Sequence, residues 1–129
     1  MADTESLFEY LSYFKETDQL FAEEIPQEEI EGEVIPGFIK YDSRIIDFAK
    51  KYRDLSLEKG DYTDYIHDFL VSEPSSEEWE NFIAHADLET IQSFLTYFIR
   101  KEHFKNGKMK WAVENGVMYQ LLYRLKNVL

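Results

Sequence analysis

Cysteine is absent from this chain of 129 residues. Without thiols the protein forms no disulfide, has no thiolate nucleophile and holds no Cys-ligated zinc or iron-sulfur centre. This absence excludes several enzyme classes, and the sequence predicts no cofactor. The chain does contain ten Phe and nine Tyr, and these large side chains favour a core that needs neither a metal nor a disulfide.

Long hydrophobic runs are also lacking. The longest strongly apolar stretches, such as Phe94 to Ile99, fall far short of the roughly 20 residues that a membrane-spanning helix requires. The first residues read Met-Ala-Asp-Thr-Glu-Ser, which is acidic where a signal peptide would be basic. We therefore expect a cytoplasmic protein that has no membrane partner.

Glycine and histidine are too scarce for the common ligand-binding motifs. The chain has five glycines and no glycine-rich phosphate loop, nucleophile elbow or zinc-protease motif. Its three histidines, His67, His85 and His103, are too scattered to give a metal-ligand spacing. The sequence predicts no metal site.

What the chain does have is acidic charge, distributed unevenly. The net charge is -12, which opposes direct binding to nucleic acid. Residues 1–33 carry 11 acids and one base, whereas residues 100–129 carry seven bases and two acids. Either the two ends of the chain neutralise each other in the fold, or the acids form a face that binds a protein partner. The acidic residues of that face are Glu23, Glu24, Glu28, Glu29, Glu31 and Glu33.

Helical periodicity dominates the rest of the chain. The strongest segment follows a capping Asp87, where Leu88, Ile91, Leu95 and Phe98 recur at three and four residues and predict a helix to about Lys105. With Leu121 from the last helix, these residues are expected in one core. In all, the sequence indicates six or seven short to medium helices. We therefore predict an all-α, single compact domain over residues 1–129. The other predicted helices cover about 6–15, 43–60, 61–74, 75–85, 109–115 and 117–129.

Residues 22–37 are predicted to form an acidic loop near the N-terminus. Pro26, Gly32, Pro36 and Gly37 would break any long helix there. The apolar residues between the acids suggest that the loop packs against the rest of the protein. A short strand near residues 34–41 is the alternative, because this stretch is rich in residues that favour extended backbone.

A polar corner runs from Arg100 to Gly116. Its residues Arg100, Glu102, His103 and Glu114 are brought near each other if the chain folds back at Gly107. In one interpretation an Arg-carboxylate pair pins this corner structurally. In the other, Glu102, His103 and Glu114 form a general acid-base set and Arg100 holds an anion.

From about Tyr41 onward the chain resembles a bacterial family known only as a domain of unknown function. Three stretches carry the resemblance: Ala-Asp-Leu-Glu-Thr-Ile at 86–91, the Arg-x-Glu-x-Phe-x-x-Gly pattern at 100–107, and Ala-x-Glu-x-Gly at 112–116. The resemblance implies a bacterial origin and one intact domain. It implies no activity.

These observations lead to three functional hypotheses. The first is a non-enzymatic cytoplasmic protein-interaction module with an acidic face. The second is a small enzyme that uses Arg100, Glu102, His103 and Glu114. The third is an acidic nucleic-acid mimic, whose glutamates occupy the basic groove of a protein partner.

Overall fold

The computed structural model describes residues 5–15 and 21–129, and of Lys101 and Glu102 it describes the backbone alone. Two short helices come first, four strands in two small antiparallel sheets follow, and seven helices complete the described part of the chain. The elements are α1 (Glu5–Phe8), α2 (Tyr10–Lys15), β1 (Ala22–Ile25), β2 (Glu28–Ile30), β3 (Glu33–Ile35), β4 (Phe38–Tyr41), α3 (Ser43–Asp54), α4 (Tyr62–Val71), α5 (Ser76–His85), α6 (Leu88–Ile99), α7 (Lys101–Lys105), α8 (Lys108–Glu114) and α9 (Val117–Val128).

The all-α prediction is wrong, because the segment predicted as an acidic loop contains four strands. Strand β1 pairs with β4 and β2 pairs with β3, both in antiparallel register. The predicted alternative of a short strand near residues 34–41 coincides with β3 and β4. The fold is therefore mixed, with a helical body and one β-hairpin.

Helix starts agree with the capping residues in the sequence. The Ser75 hydroxyl accepts a hydrogen bond of 3.2 Å from the backbone N–H of Glu78, and the Asp87 carboxylate accepts one of 2.9 Å from that of Thr90. Asp42 caps α3 in the same way. Each side chain satisfies a backbone donor that the first turn of a helix leaves without an intrahelical partner.

The core is centred on α6, which packs against α4, α8 and α9. Ile91, Leu95 and Phe98 of α6 are buried together with Leu121 of α9, as the periodicity predicted. Leu88 is partly buried at the margin of the same cluster. The predicted core is thus confirmed, and it fixes the helices from which the hairpin projects.

Two predicted helices end early, and neither break is marked by glycine or proline. Helix α6 stops at Ile99 because Arg100 is extended, with ψ 145°, and the Arg53 guanidinium donates a 3.3 Å hydrogen bond to the Ile99 carbonyl oxygen. Helix α3 ends at Asp54 and does not reach Gly60, since Ser56 has a left-handed φ of 59°. The predicted single helix to Lys105 is therefore two helices, α6 and α7.

Candidate interaction surface

The four strands form one long hairpin with an interruption in the middle. Pairing runs from Ala22↔Tyr41 to Ile25↔Phe38 and resumes from Glu28↔Ile35 to Ile30↔Glu33. Two residues on each side separate the sheets, and each pair includes a proline, Pro26 or Pro36. Proline has no N–H to donate to a ladder, so the pairing is interrupted where the prolines lie. We call residues 26–37 the acidic arm.

A two-residue turn closes the acidic arm. Glu31 and Gly32 have φ values of 53° and 84°, and positive φ at both central residues is the geometry that fits the twist of a tight hairpin. Glycine adopts this geometry readily, whereas glutamate does so at some cost. The turn therefore places the Glu31 side chain at the very end of the arm.

Glycine is also required at the interruption. A Cβ on Gly37 would lie 2.9 Å from the carbonyl oxygen of Ile25 and 3.2 Å from the backbone nitrogen of Gln27. Real Cβ atoms do not approach backbone atoms this closely. The absence of a side chain at Gly37 thus lets the two backbone segments approach each other closely at the base of the arm.

The sheet of β1 and β4 attaches the acidic arm to the helical body. The Tyr41 hydroxyl donates a 2.7 Å hydrogen bond to the carbonyl oxygen of Phe104 in α7, and the two rings lie 4.7 Å apart. Ile39, which shares the face of Tyr41 because side chains alternate along a strand, lies close to Gly107. The body therefore holds the arm at the turn between α7 and α8.

Part of the charge asymmetry is neutralised at this attachment. The Glu114 carboxylate lies 2.9 Å from the Lys110 ammonium, and it is the main cause that raises the pKa of Lys110, with a further contribution from Glu24 of β1. On the opposite face of the same sheet, Glu23 lies across from Lys40. Neutralisation of the acidic end by the basic end stays a prediction beyond this contribution of Glu24 to the pKa of Lys110.

Beyond the attachment, the acidic arm is exposed on both faces. Every residue of β2 and β3 is exposed to solvent. Ile30, Val34 and Ile35, with Phe38 at the base, keep between 44% and 58% of their surface accessible. Glu28, Glu29, Glu31 and Glu33 lie among them and are exposed as well. Large exposed apolar side chains are therefore interspersed with carboxylates on the acidic arm.

The predicted polar corner is spread over several contacts. The Arg100 guanidinium lies 5.5 Å from the centre of the Tyr62 ring, and the His103 ring lies 4.0 Å from that of Tyr97. Glu114 has Lys110 as its ion-pair partner. The Glu102 side chain lies outside the described part of the structure. An acid-base role for these four residues stays a prediction.

Tyr41 and Lys110 lie at the attachment of the hairpin, and neither was among the predicted site residues. The Lys110–Glu114 pair has the i, i+4 spacing that joins charges on a helix and was detectable in the sequence. Tyr41 was not detectable, because its partner Phe104 is 63 residues away in the chain. In the described ranges, no helix is long and apolar enough to cross a bilayer.

Comparison with known proteins adds the family. The family model of DUF6508, described as a family of unknown function, matches residues 1–129. The chain belongs to DUF6508. This match confirms that the chain is a domain of unknown function and includes the segment before Tyr41. The motif pattern and the bacterial origin stay predictions. No curated protein and no solved structure shows significant similarity to this DUF6508 chain.

Proposed function

We propose that this DUF6508 protein is a non-enzymatic protein-interaction module, and that the acidic arm is its binding element. The observation that carries the proposal is the exposure of Ile30, Val34 and Ile35 on the acidic arm, where every residue of β2 and β3 is open to solvent. An isolated two-stranded hairpin is only marginally stable in water. Exposed apolar side chains on such an element, here Ile30 and Ile35 on one face and Val34 on the other, are typical of a surface that becomes buried in a complex.

The charge of the acidic arm indicates the chemistry of the partner. Residues 26–37 contain four glutamates and no Lys or Arg. A partner that pairs with this surface needs basic side chains around an apolar patch, because the potentials of two binding surfaces are complementary. A second copy of the chain would bring like charges together, which disfavours self-association through the arm.

The alternative of a nucleic-acid mimic shares the basic partner but differs in the contact. A mimic presents carboxylates in place of backbone phosphates, and phosphate contacts with a protein are dominated by Lys and Arg. Here Ile30, Val34 and Ile35 separate the glutamates. This arrangement favours a mixed apolar and ionic contact over a purely ionic one. We propose a cytoplasmic location, with which the lack of cysteine is compatible.

Site-specific photo-crosslinking tests the proposal. Benzoylphenylalanine replaces Val34 on the acidic arm of the full chain, and in a matched control it replaces Ile46, which is 54% exposed on α3. We expect the Val34 position to crosslink one protein whose contact segment is basic, and the Ile46 position to leave that protein uncaptured.

Three results would overturn the proposal. One is that neither position yields a specific adduct in cells that contain the protein at its natural level. Another is an adduct between two copies of the chain, and the third is equal capture by both positions. If the captured protein binds DNA, and duplex DNA displaces the DUF6508 chain from it, the result supports the nucleic-acid mimic. The acidic arm and DNA then compete for the same basic surface of the partner.

A further inference from the structure

A cavity of about 400 Å³ is lined by residues of α4, α5, α6 and α8 and of the turn between α7 and α8. Trp79, Tyr97, Phe98 and Trp111 line it. A volume of this size is within the range of small-molecule sites, which are largely apolar with a few polar groups at the rim. The cavity is independent of the acidic arm.

The tryptophans give the cavity its character. The chain has two of them, and both line this one cavity. Trp79 is buried, whereas Trp111 is 38% exposed although its neighbours Ala112 and Val113 face the core. The two indole rings lie 5.7 Å apart at an angle of 54° and so form adjoining walls. Trp111 therefore offers indole surface to whatever occupies the cavity.

The Tyr97 ring, which forms one wall of the cavity, is held in place by neighbouring side chains. The His103 ring packs against Tyr97 at 4.0 Å, and the Asn106 amide lies 3.2 Å from His103 Nδ1. The Asn106 side-chain oxygen in turn accepts a 3.1 Å hydrogen bond from the backbone N–H of Lys108. Asn106 and His103 of the polar corner thus position the cavity wall.

Two charged side chains of opposite sign complete the lining. Glu73 and Lys108 both border the cavity, and within the described ranges neither forms an ion pair. An anionic ligand can pair only with the Lys108 ammonium and a cationic one only with the Glu73 carboxylate, whereas a neutral ligand with a donor and an acceptor can contact both. The lining therefore suits a ligand with no net charge whose polar edge can contact both groups.

We propose that this cavity binds a flat, uncharged aromatic small molecule, which stacks on Trp111 and directs its polar edge toward Glu73 and Lys108. Flat rings make favourable offset-stacked or edge-on contacts with aromatic walls beyond the area that they bury. A saturated molecule of similar size loses these contacts. The proposal identifies a binding site and assigns no reaction to it.

Nuclear magnetic resonance tests this directly, because the two indole N–H groups of the chain both belong to the cavity. The probes are indole, adenine and quinoline, with cyclohexanol as the saturated control and benzoate and benzylamine as charged controls. We expect both indole signals to shift saturably at millimolar concentrations of at least one flat neutral probe. The controls are expected to bind at least tenfold more weakly.

Variants locate the site. Trp111→Leu keeps apolar bulk and removes the flat ring, so the affinity read from the Trp79 signal is expected to fall at least tenfold. Tyr123→Leu, at a ring that is 52% exposed on α9, is expected to leave it unchanged. The proposal is wrong if no flat probe shifts the signals, if cyclohexanol or a charged probe binds as tightly, or if Trp111→Leu retains full affinity.

Discussion

The Tyr41 hydroxyl and the Phe104 carbonyl oxygen are joined by a 2.7 Å hydrogen bond between the last strand of the hairpin and α7. Burial raises the pKa of Tyr41, so the donor is neutral at physiological pH. The bond ties the end of β4 to α7 and so contributes to the orientation of the hairpin.

Removing that hydroxyl should loosen the attachment of the hairpin. Tyr41→Phe keeps the ring against Phe104 and deletes the donor, which is expected to lower the free energy of unfolding by about 1 kcal/mol. Urea denaturation measures the loss. Tyr123→Phe, at an exposed ring of α9, is the control. A Tyr41→Phe variant as stable as the wild type would show that water replaces the bond at no cost.

A second prediction concerns alkaline pH and Tyr52. This ring is fully buried, and its hydroxyl donates to the carbonyl oxygens of Leu57 at 2.9 Å and Gln92 at 3.1 Å. Burial raises the pKa of Tyr52 far above its usual range. The unfolded chain therefore loses this proton at lower pH than the folded protein does. Stability that is fully present below the ordinary tyrosine pKa of about 10 is lost as the pH rises further.

The slope of that loss is measurable. A single buried tyrosine contributes a decline of up to about 1.4 kcal/mol per pH unit above its ordinary pKa. Tyr52→Phe is expected to be less stable than the wild type at neutral pH. Its free energy of unfolding should, however, fall less steeply over about one pH unit above the ordinary tyrosine pKa of about 10. Parallel pH profiles for the two proteins would contradict the assignment.

Sequence reasoning identified the helical body because its signals are local. Ser75 and Asp87 cap the helices that follow them, and the spacing of Ile91, Leu95 and Phe98 marks a buried face. Each of these signals lies within one or two helical turns of the residues that it positions. Nothing distant in the chain was needed to find them.

The hairpin was not predicted from the sequence because neither face of the acidic arm is buried. A strand with one buried face alternates apolar and polar residues, and the stretch Glu28-Glu29-Ile30 has no such alternation. The turn is Glu31-Gly32, which lacks the Asn or Asp that commonly marks a tight hairpin turn. Glycine between Ile30 and Val34, both favourable to extended backbone, was the signal available. The helix breaks at Ser56 and Arg100 depend on tertiary contacts, so no local signal in the sequence marked them.

The close backbone approach at Gly37 gives a third prediction. Gly37→Ala would place a methyl group 2.9 Å from the Ile25 carbonyl oxygen, so the strands of the acidic arm should separate. Cross-strand nuclear Overhauser effects between the α protons of Glu29 and Val34 are expected to disappear while the core resonances persist. Gly60→Ala, where a Cβ has open space, is the matched control. Retained cross-strand effects would show that the strands do not approach as closely as described.

Salt should distinguish internal neutralisation from an exposed acidic face. Glu24 lies near Lys110, and screening weakens that attraction. The four glutamates of the acidic arm, however, are exposed to solvent, in a chain of net charge -12. We expect sodium chloride to raise the free energy of unfolding, by less than about 1 kcal/mol. The variant with Gln at positions 28, 29, 31 and 33 should respond less. Destabilisation by salt would mean that internal ion pairs dominate.

The affinity of the partner for charge variants of the acidic arm tests the central claim most directly. The partner is the purified protein that crosslinks to position 34. Isothermal titration calorimetry measures its affinity for the wild type, for the E28Q/E29Q/E31Q/E33Q variant and for an E77Q/E80Q control on α5. An arm that binds a basic surface predicts at least a tenfold loss of affinity in the arm variant, a smaller salt dependence for it, and wild-type affinity for the control. Equal affinity for all three proteins would contradict the assignment of the acidic arm as the binding element.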